Sequence, residues 1–140
     1  MALNSIYTGA LMEHNSYPSS KYEIDNPTHS HRGVNPTCGD DITLSLVVED
    51  GTIEEAAFTG SGCAISQASA DIMAELVMDK SVDEAIELGK TFLKMIRGEE
   101  LTDEERESLG EAAELKDISH MPARVKCAEL AWRTLASVLA

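Results

Sequence analysis

The hydrophobic and polar positions of the chain follow two different periods, and each period predicts a type of element. Apolar side chains recur at helical spacing from about residue 2 to residue 15, where an amphipathic helix is expected. Residues 42–48 instead alternate between apolar and polar and are rich in β-branched side chains. The following Asp50-Gly51 pair is typical of a tight turn with positive φ angles, so residues 53–59 are predicted to return as the second strand of a hairpin.

Both periods are lost between His14 and Pro36, where Ser, Asn, Pro and His dominate and a loop is expected. Within this loop the segment 28–31, Thr-His-Ser-His, alternates and predicts a short edge strand. After the hairpin, helical spacing returns and predicts a buried helix over 64–78 and a capped helix over 82–97. A last helix is predicted to open at Pro122 and to carry an apolar stripe.

The length and charge of the chain narrow its possible functions. One hundred and forty residues predict a single domain, 1–140, and a net charge of −14 disfavours nucleic acid and anionic membrane surfaces as partners. No apolar run is long enough to span a bilayer and the first residues lack a secretion signal, so a cytoplasmic protein is expected. Half of the excess negative charge lies between Glu99 and Asp117, which predicts a solvated, mobile surface helix.

Three cysteines and one aspartate are the main candidates for chemistry. Cys38 and Asp40 flank Gly39 in a turn just before the hairpin, and Cys63 follows the second hairpin strand at the start of a helix. A hairpin brings its two outer ends together, so these three side chains are expected to be neighbours. Cys127 completes the set if the last helix docks at the same end. Three sulfurs and one oxygen suit tetrahedral zinc, and sulfur ligands suit iron–sulfur clusters equally well.

The cysteines and histidines also have interpretations other than metal binding. Free cysteines are often small buried hydrophobes, although a Cys-Gly-Asp turn and a Gly-Ser-Gly-Cys corner are poor places to bury a thiol. The histidines stand in polar or loop contexts and are expected at the surface, with His120 the best remaining ligand candidate; they are His14, His29, His31 and His120. Arg124 lies three residues before Cys127 on the same predicted helix face and supports an anionic site.

Three spaced motifs resemble the U-type iron–sulfur cluster assembly proteins, the family of IscU and SufU. The motifs are Asn35-Pro36-Thr37-Cys38-Gly39-Asp40, Gly60-Ser61-Gly62-Cys63-Ala64-Ile65-Ser66 and Met121-Pro122-Ala123-Arg124-Val125-Lys126-Cys127. The resemblance covers nearly the whole chain. It implies an α+β fold, with a small antiparallel sheet of three strands covered on one face by helices and the cysteines and aspartate at one exposed end.

The resemblance also implies a choice between two activities. Scaffolds of the IscU type carry a histidine immediately before the third cysteine, where this chain has Lys126, and their spacing between the second and third cysteines is shorter. Both features resemble SufU. They imply a zinc-dependent sulfur acceptor, at most a sulfurtransferase enzyme, that takes persulfide sulfur from a SufS-like cysteine desulfurase and passes it towards a downstream scaffold or apo iron–sulfur proteins.

In the SufU-like reading, zinc is held by Cys38, Asp40, Cys63 and Cys127, with Cys38 as the sulfur acceptor and Arg124 in a supporting role. The alternatives are a scaffold that assembles a [2Fe–2S] cluster on the same ligands, and a structural-zinc binding module.

One motif departs from the family pattern, because the Pro-Arg-Asn-x-Gly loop near the N-terminus is replaced by Pro18-Ser19-Ser20-Lys21-Tyr22. A partner contact through that loop is therefore not expected to carry over unchanged.

Overall fold

The computed structural model describes residues 9–140, so part of the helix expected over 2–15 lies outside the described residues. The elements in chain order are α1 (Gly9–Ser16), β1 (His29–Asn35), β2 (Asp40–Glu49), β3 (Thr52–Ser61), α2 (Ala64–Val77), α3 (Val82–Ile96), α4 (Asp103–Leu109), a 3₁₀ segment (Gly110–His120) and α5 (Pro122–Leu139). The hairpin and the helices predicted over 64–78, over 82–97 and from Pro122 are confirmed to within a few residues at their ends, and the first helix is confirmed over its described part. The fold is α+β, as expected.

The sheet is antiparallel and has the strand order β1-β2-β3. The predicted edge strand is confirmed as β1, although it is longer than the four residues expected. The turn between β2 and β3 has φ angles of 51° at Asp50 and 78° at Gly51, which are the positive values that this dipeptide favours. Asn35 pairs with Asp40 and Asp41 pairs with Ser61, so one end of all three strands lies at the same edge of the molecule.

The core lies between one face of the sheet and the helices. On β2 the side chains of Ile42, Leu44 and Leu46 are buried while their neighbours are partly exposed, which is the alternation expected of a sheet covered on one face. Helix α2 is buried along most of its surface, and α5 packs against it and against β1. The rings of Phe92 on α3 and Trp132 on α5 stack with centroids 4.3 Å apart and join these two helices.

Helix α5 approaches β1 closely at Gly33. A Cβ atom at this position would overlap Oγ1 of Thr134 and would lie 3.3 Å from Cδ1 of Leu130, both on α5. The missing side chain therefore sets the distance between helix and strand. Because α5 carries Cys127, this contact also sets the position of the Cys127 sulfur relative to the ends of the strands.

The acidic stretch forms the expected surface helix only over α4. A capping box at Thr102 and Glu105 opens this helix, and the chain then continues as the 3₁₀ segment. Four apolar residues at a spacing of three are fully buried against the core; they are Leu109, Ala112, Leu115 and Ile118. A 3₁₀ helix has three residues per turn, so this spacing brings all four onto one face while the acidic side chains point outward.

His14 is buried, which corrects the expectation of a surface histidine. Its Nδ1 lies 2.6 Å from Oδ2 of Asp71 and its Nε2 lies 2.8 Å from Oε1 of Glu111. Glu75 is a third carboxylate partner, at 3.2 Å from Nδ1. The imidazole therefore joins α1 to α2 and to the 3₁₀ segment.

No helix in the described part of the chain is both long and apolar enough to cross a bilayer.

The atypical loop after α1 is tied to the same cluster. The backbone N–H of Ser20 donates to Oδ1 of Asp71 at 2.7 Å, and the carbonyl oxygen of Ser20 accepts the N–H of Phe58 at 2.9 Å. The loop thus runs along the outer edge of β3 and is fixed to α2 by a fully buried carboxylate. Its backbone is held by hydrogen bonds that do not require the family's Arg-Asn pair.

Candidate metal centre

The turn between β1 and β2 presents Cys38 at the open end of the sheet. The N–H of Cys38 donates to the carbonyl of Asn35 at 3.2 Å, and the N–H of Gly39 donates to the carbonyl of Pro36 at 3.4 Å. Gly39 has a φ of +71°, a conformation that glycine adopts without a steric penalty. As a result Cys38 is partly exposed on the turn, while Asp40, the first residue of β2, is fully buried.

The corner between β3 and α2 holds Asp40 in place. Oδ1 of Asp40 accepts the backbone N–H of Cys63 at 2.9 Å and the hydroxyl of Ser66 at 3.1 Å. A Cβ atom at Gly62 would lie 2.6 Å from the same oxygen, so only glycine allows the corner to approach this closely. The carboxylate is thereby fixed between the β1–β2 turn and the start of α2.

Cys63 is the N-cap residue of α2, as its position in the sequence predicts. Its Sγ accepts the N–H of Ser66 at 3.4 Å, and the thiol is partly exposed. The sulfur of Cys63 therefore lies at the N-terminus of α2, where backbone N–H groups lack partners within the helix.

Cys127, in the second turn of α5, is fully buried at the inner side of the same cluster. Burial raises the pKa of the Cys127 thiol, and hydrogen bonds and charge interactions with Cys38, Cys63 and Asp40 raise it further. The amide of Asn35 lies 3.8 Å from this sulfur. A buried thiol among other anionic groups becomes a stable thiolate only when a cation is close to it.

Three of the four side chains singled out in the sequence meet at one end of the molecule, and the fourth, Cys63, lies beside them. The donor atoms of Cys38, Asp40 and Cys127 all lie within 4.8 Å of one another. Ligands of a tetrahedral zinc ion at about 2.3 Å lie roughly 3.8 Å apart, so this spacing suits such an ion after a small contraction. Cys63 interacts with the Cys127 sulfur but stands outside this tighter group of three, and its own sulfur accepts the N–H of Ser66 at the start of α2. The donor set supports metal binding, and sulfur-rich sets of this kind suit zinc and iron alike.

Two other candidates from the sequence are Arg124 and His120. Arg124 is in the first turn of α5 and is partly buried. His120 is exposed and lines a separate cavity of about 500 Å³ together with Glu99, Arg106 and Lys116. The structure therefore does not place His120 among the cysteines.

Two polar residues of the site were not predicted from the sequence. Asn35 and Ser66 both stand inside the quoted motifs, but only the fold shows that their side chains bond to Asp40. A serine three residues after an N-cap cysteine is a usable signal, since this spacing reaches back to the first turn. For Asn35 the only signal is its position at the start of the Asn-Pro-Thr-Cys-Gly-Asp turn.

Comparisons with known proteins agree with this fold. The family model of the NifU-like N terminal domain matches residues 6–136. The iron-sulfur cluster assembly scaffold protein IscU of Thermotoga maritima is 40% identical over 139 residues, which cover 99% of this chain and 96% of that protein. The zinc-dependent sulfurtransferase SufU of Bacillus subtilis is 35% identical over 133 residues, covering 95% of this chain and 88% of that protein.

The fold has a close counterpart among solved structures. A crystal structure from Fervidobacterium islandicum AW-1, described as an iron-sulfur cluster assembly scaffold protein for the SUF system, superposes with a TM-score of 0.90. The two chains are 34% identical, and the match covers 96% of this chain and 97% of that one. With a family model that matches nearly the whole length and relatives of this similarity, the chain belongs to the family of NifU-like N-terminal domains.

Proposed function

We propose that this protein acts in iron–sulfur cluster biosynthesis as a zinc-dependent sulfur acceptor. The observation that carries the proposal is the meeting of the Cys38 and Cys127 thiols with the Asp40 carboxylate at an open end of the fold, beside Cys63 and with Cys38 on a partly exposed turn. The similarity to the zinc-dependent sulfurtransferase SufU supports it. The exposed Lys126 beside Cys127 also supports it, because scaffolds of the IscU type have a histidine there.

In this proposal Cys38, Asp40, Cys63 and Cys127 hold the zinc ion. Bound zinc would keep the sulfurs ionised and shielded from oxidation. Burial separates Cys127, which anchors the site from within, from Cys38 and Cys63, which are both partly exposed. The Cys63 sulfur accepts the N–H of Ser66 at the start of α2, whereas Cys38 lies on a turn, so Cys38 is proposed as the residue that meets an incoming persulfide.

The chemical step is a thiol exchange that needs no added oxidant or reductant. The Cys38 thiolate attacks the terminal sulfur of a persulfide on the partner's cysteine, and a new S–S bond forms. The S–S bond of the donor persulfide breaks, and its electron pair leaves with the donor cysteine as a thiolate. The product is a persulfide on Cys38. Arg124, three residues before Cys127 on α5, supports the negative charge that gathers at this end.

The partners follow from this step. The donor is a SufS-like cysteine desulfurase, and the recipient is a downstream scaffold or an apo iron–sulfur protein. Three free cysteines in the described chain suit a reducing compartment such as the cytoplasm, where thiols persist without pairing. The net charge of −14 favours partners that present a basic surface.

The second candidate function is a scaffold that assembles a [2Fe–2S] cluster on the same residues. It is favoured by the 40% identity to a relative that bears the name of an IscU scaffold. A structural-zinc binding module is a lesser alternative on the same donor set. Metal analysis of protein purified without oxygen separates the first two functions: one zinc per chain supports the acceptor, and labile iron with sulfide supports the scaffold.

A desulfurase assay tests the sulfur transfer itself. The zinc-loaded protein is mixed with a SufS-like desulfurase and cysteine, and sulfide and alanine production are measured. We expect the wild-type protein to stimulate turnover and Cys38→Ala to abolish this stimulation. Thr37→Ala changes an exposed residue of the same turn and should leave the stimulation intact. Arg124→Ala should reduce turnover more than it reduces folding stability. Stimulation that persists in Cys38→Ala would rule out Cys38 as the acceptor, and no stimulation by the wild-type protein would favour a passive module.

A further inference from the structure

The side-chain amide of Asn35 lies between two of the proposed metal ligands. Its Nδ2 donates to Oδ2 of Asp40 at 3.3 Å and to Sγ of Cys127 at 3.8 Å. Asn35 is itself 7% exposed, so water competes little for these contacts. An amide nitrogen carries two hydrogens and can serve both acceptors at once.

The two oxygens of Asp40 have different surroundings. Oδ1 is committed to the N–H of Cys63 and the hydroxyl of Ser66. Oδ2 accepts the side-chain N–H of Asn35, and the same amide nitrogen lies 3.8 Å from the sulfur of Cys127. A carboxylate oxygen with two lone pairs can accept one N–H and still offer an electron pair to a cation.

From this asymmetry we infer that Asn35 is a positioning residue of the metal centre. It holds Oδ2 of Asp40 and the sulfur of Cys127 at a fixed separation by donating one hydrogen to each. Oδ2 would then be the oxygen that Asp40 offers to an ion, because Oδ1 is fastened to the start of α2. The inference rests on the proposed function insofar as it requires a metal ion at this site.

The side chain of Asn35 is not needed to form the turn. Its backbone carbonyl accepts the N–H of Cys38, and its backbone pairs with Asp40 in the sheet. Neither bond is altered when the side chain is shortened. A substitution at this position can therefore test the side chain's effect on the metal without removing the turn that carries Cys38.

The test measures metal affinity rather than activity. Zn²⁺ binding to the full chain is followed by competition with a chromophoric chelator, and Co²⁺ binding by its d–d and sulfur-to-metal absorption bands. Groups that orient metal ligands typically change affinity by roughly 10- to 100-fold when removed, and we expect a loss of this size for Asn35→Ala. We also expect altered Co²⁺ bands, with the melting temperature of the metal-free protein close to wild type. Thr37→Ala is the matched control in the same turn and should leave both readouts unchanged.

Two further variants make the outcome decisive. Asn35→Asp keeps the shape of the side chain but replaces the donor with an anion beside Asp40, and it should weaken metal binding at least as much as alanine does. In an Asp40→Ala background, Asn35→Ala should cost a smaller factor than in the wild type, because one of its two acceptors is gone. Wild-type affinity in both Asn35 variants, or equal costs in both backgrounds, would overturn the inference. A wild-type protein that binds neither Zn²⁺ nor Co²⁺ would instead overturn the proposed function.

Discussion

The imidazole of His14 is surrounded by negative charge on both sides of its ring. Asp71 and Glu75 on α2 face Nδ1, and Glu111 on the 3₁₀ segment faces Nε2. With an acceptor at each nitrogen, both nitrogens must donate, which only the doubly protonated ring can do. Burial by itself lowers the pKa of His14, but hydrogen bonds to Asp71 and Glu111 and the charges of Glu111 and Glu75 outweigh it and raise the pKa above 6.5.

Because its pKa is raised, His14 should contribute to the free energy of unfolding in a way that depends on pH. The folded state binds the proton more tightly than the unfolded chain does. This contribution is therefore fully present below about pH 6.5 and is lost as the pH rises through the higher pKa of His14 in the folded state. Hydrogen bonds to charged groups are worth about 1.5–3 kcal/mol, and partial exposure of Glu75 and Glu111 reduces this. We expect His14→Gln to lose about 1–2 kcal/mol at pH 6 and clearly less at pH 8.5.

Urea unfolding of both proteins between pH 5.5 and 8.5 measures this difference. His31→Gln is the control, because His31 is exposed on β1 and its replacement should shift stability little at any pH. A stability difference for His14→Gln that is constant over the range would show that the ring acts through packing alone.

The sequence could not reveal this cluster, because its members are distant along the chain. Asp71 is 57 positions from His14 and Glu111 is 97 positions away, and each stands on a helix whose local pattern is ordinary. The cysteines were easier to place, since a hairpin joins Cys38 to Cys63 by local rules alone. The position of Cys127 depended on how α5 packs, which no local pattern determines.

At the scale of elements, the contact between α5 and β1 links the packing to the site. Gly33 lets the helix lie against the strand, and Thr134 and Leu130 occupy the space that a side chain would fill. Cys127 stands one turn before Leu130 on the same helix. A shift of α5 away from the sheet would therefore carry this sulfur away from Asp40 and Cys38.

Gly33→Ala is predicted to lower both stability and metal affinity. Overpacking at a close helix–strand contact typically costs about 1–3 kcal/mol. Rotation of the Thr134 side chain relieves only part of the overlap, because its Cβ also lies within 3.2 Å of the added atom. Thermal unfolding of the metal-free protein and a Zn²⁺ competition titration measure the two effects.

Gly89→Ala on α3 is the matched control. A Cβ atom there meets nothing within 4 Å, and the position borders a small cavity of about 90 Å³ between α3 and α5. In a helix interior alanine is favoured over glycine by roughly 0.5–1 kcal/mol, so this variant should be as stable as wild type or more stable. If Gly33→Ala matched it in stability and metal affinity, the close approach of α5 would not matter to the site.

The elements also show which sequence patterns predict secondary structure correctly. Strong local signals such as the Asp50-Gly51 turn and the cap of the helix over 82–97 were predicted and confirmed. The prediction for the acidic stretch was wrong beyond α4, because it rested on the charge of the segment and not on the spacing of its apolar residues. Leu109 to Ile118 repeat every three residues rather than in the helical pattern of three and four, and that repeat indicates a 3₁₀ segment with a buried side.

At the scale of the whole molecule, the proposed ligands come from three separate parts of the fold. Cys38 and Asp40 belong to the β1–β2 turn, Cys63 to the start of α2 and Cys127 to α5. Within the described chain no disulfide joins these parts. A metal ion bound by all of them would cross-link the open end of the sheet to both helices, and its binding free energy would add to the stability of the folded state.

The protein should therefore unfold at a lower temperature when its metal is removed. A ligand that is free at about 100 times its Kd stabilises the folded state by about 2.7 kcal/mol, which for a chain of this length corresponds to roughly 5–15 °C in Tm. Thermal unfolding is recorded with one equivalent of Zn²⁺ and after treatment with a chelator. Cys63→Ser and Cys38→Ser should lose most of this difference. Serine is also a good N-cap residue, so Cys63→Ser keeps the start of α2 intact and its metal-free Tm should stay near that of the wild type. A zinc-dependent shift of full size in both serine variants would mean that the stabilising ion binds elsewhere, and no shift in the wild type would mean that these three parts of the fold are held together without one.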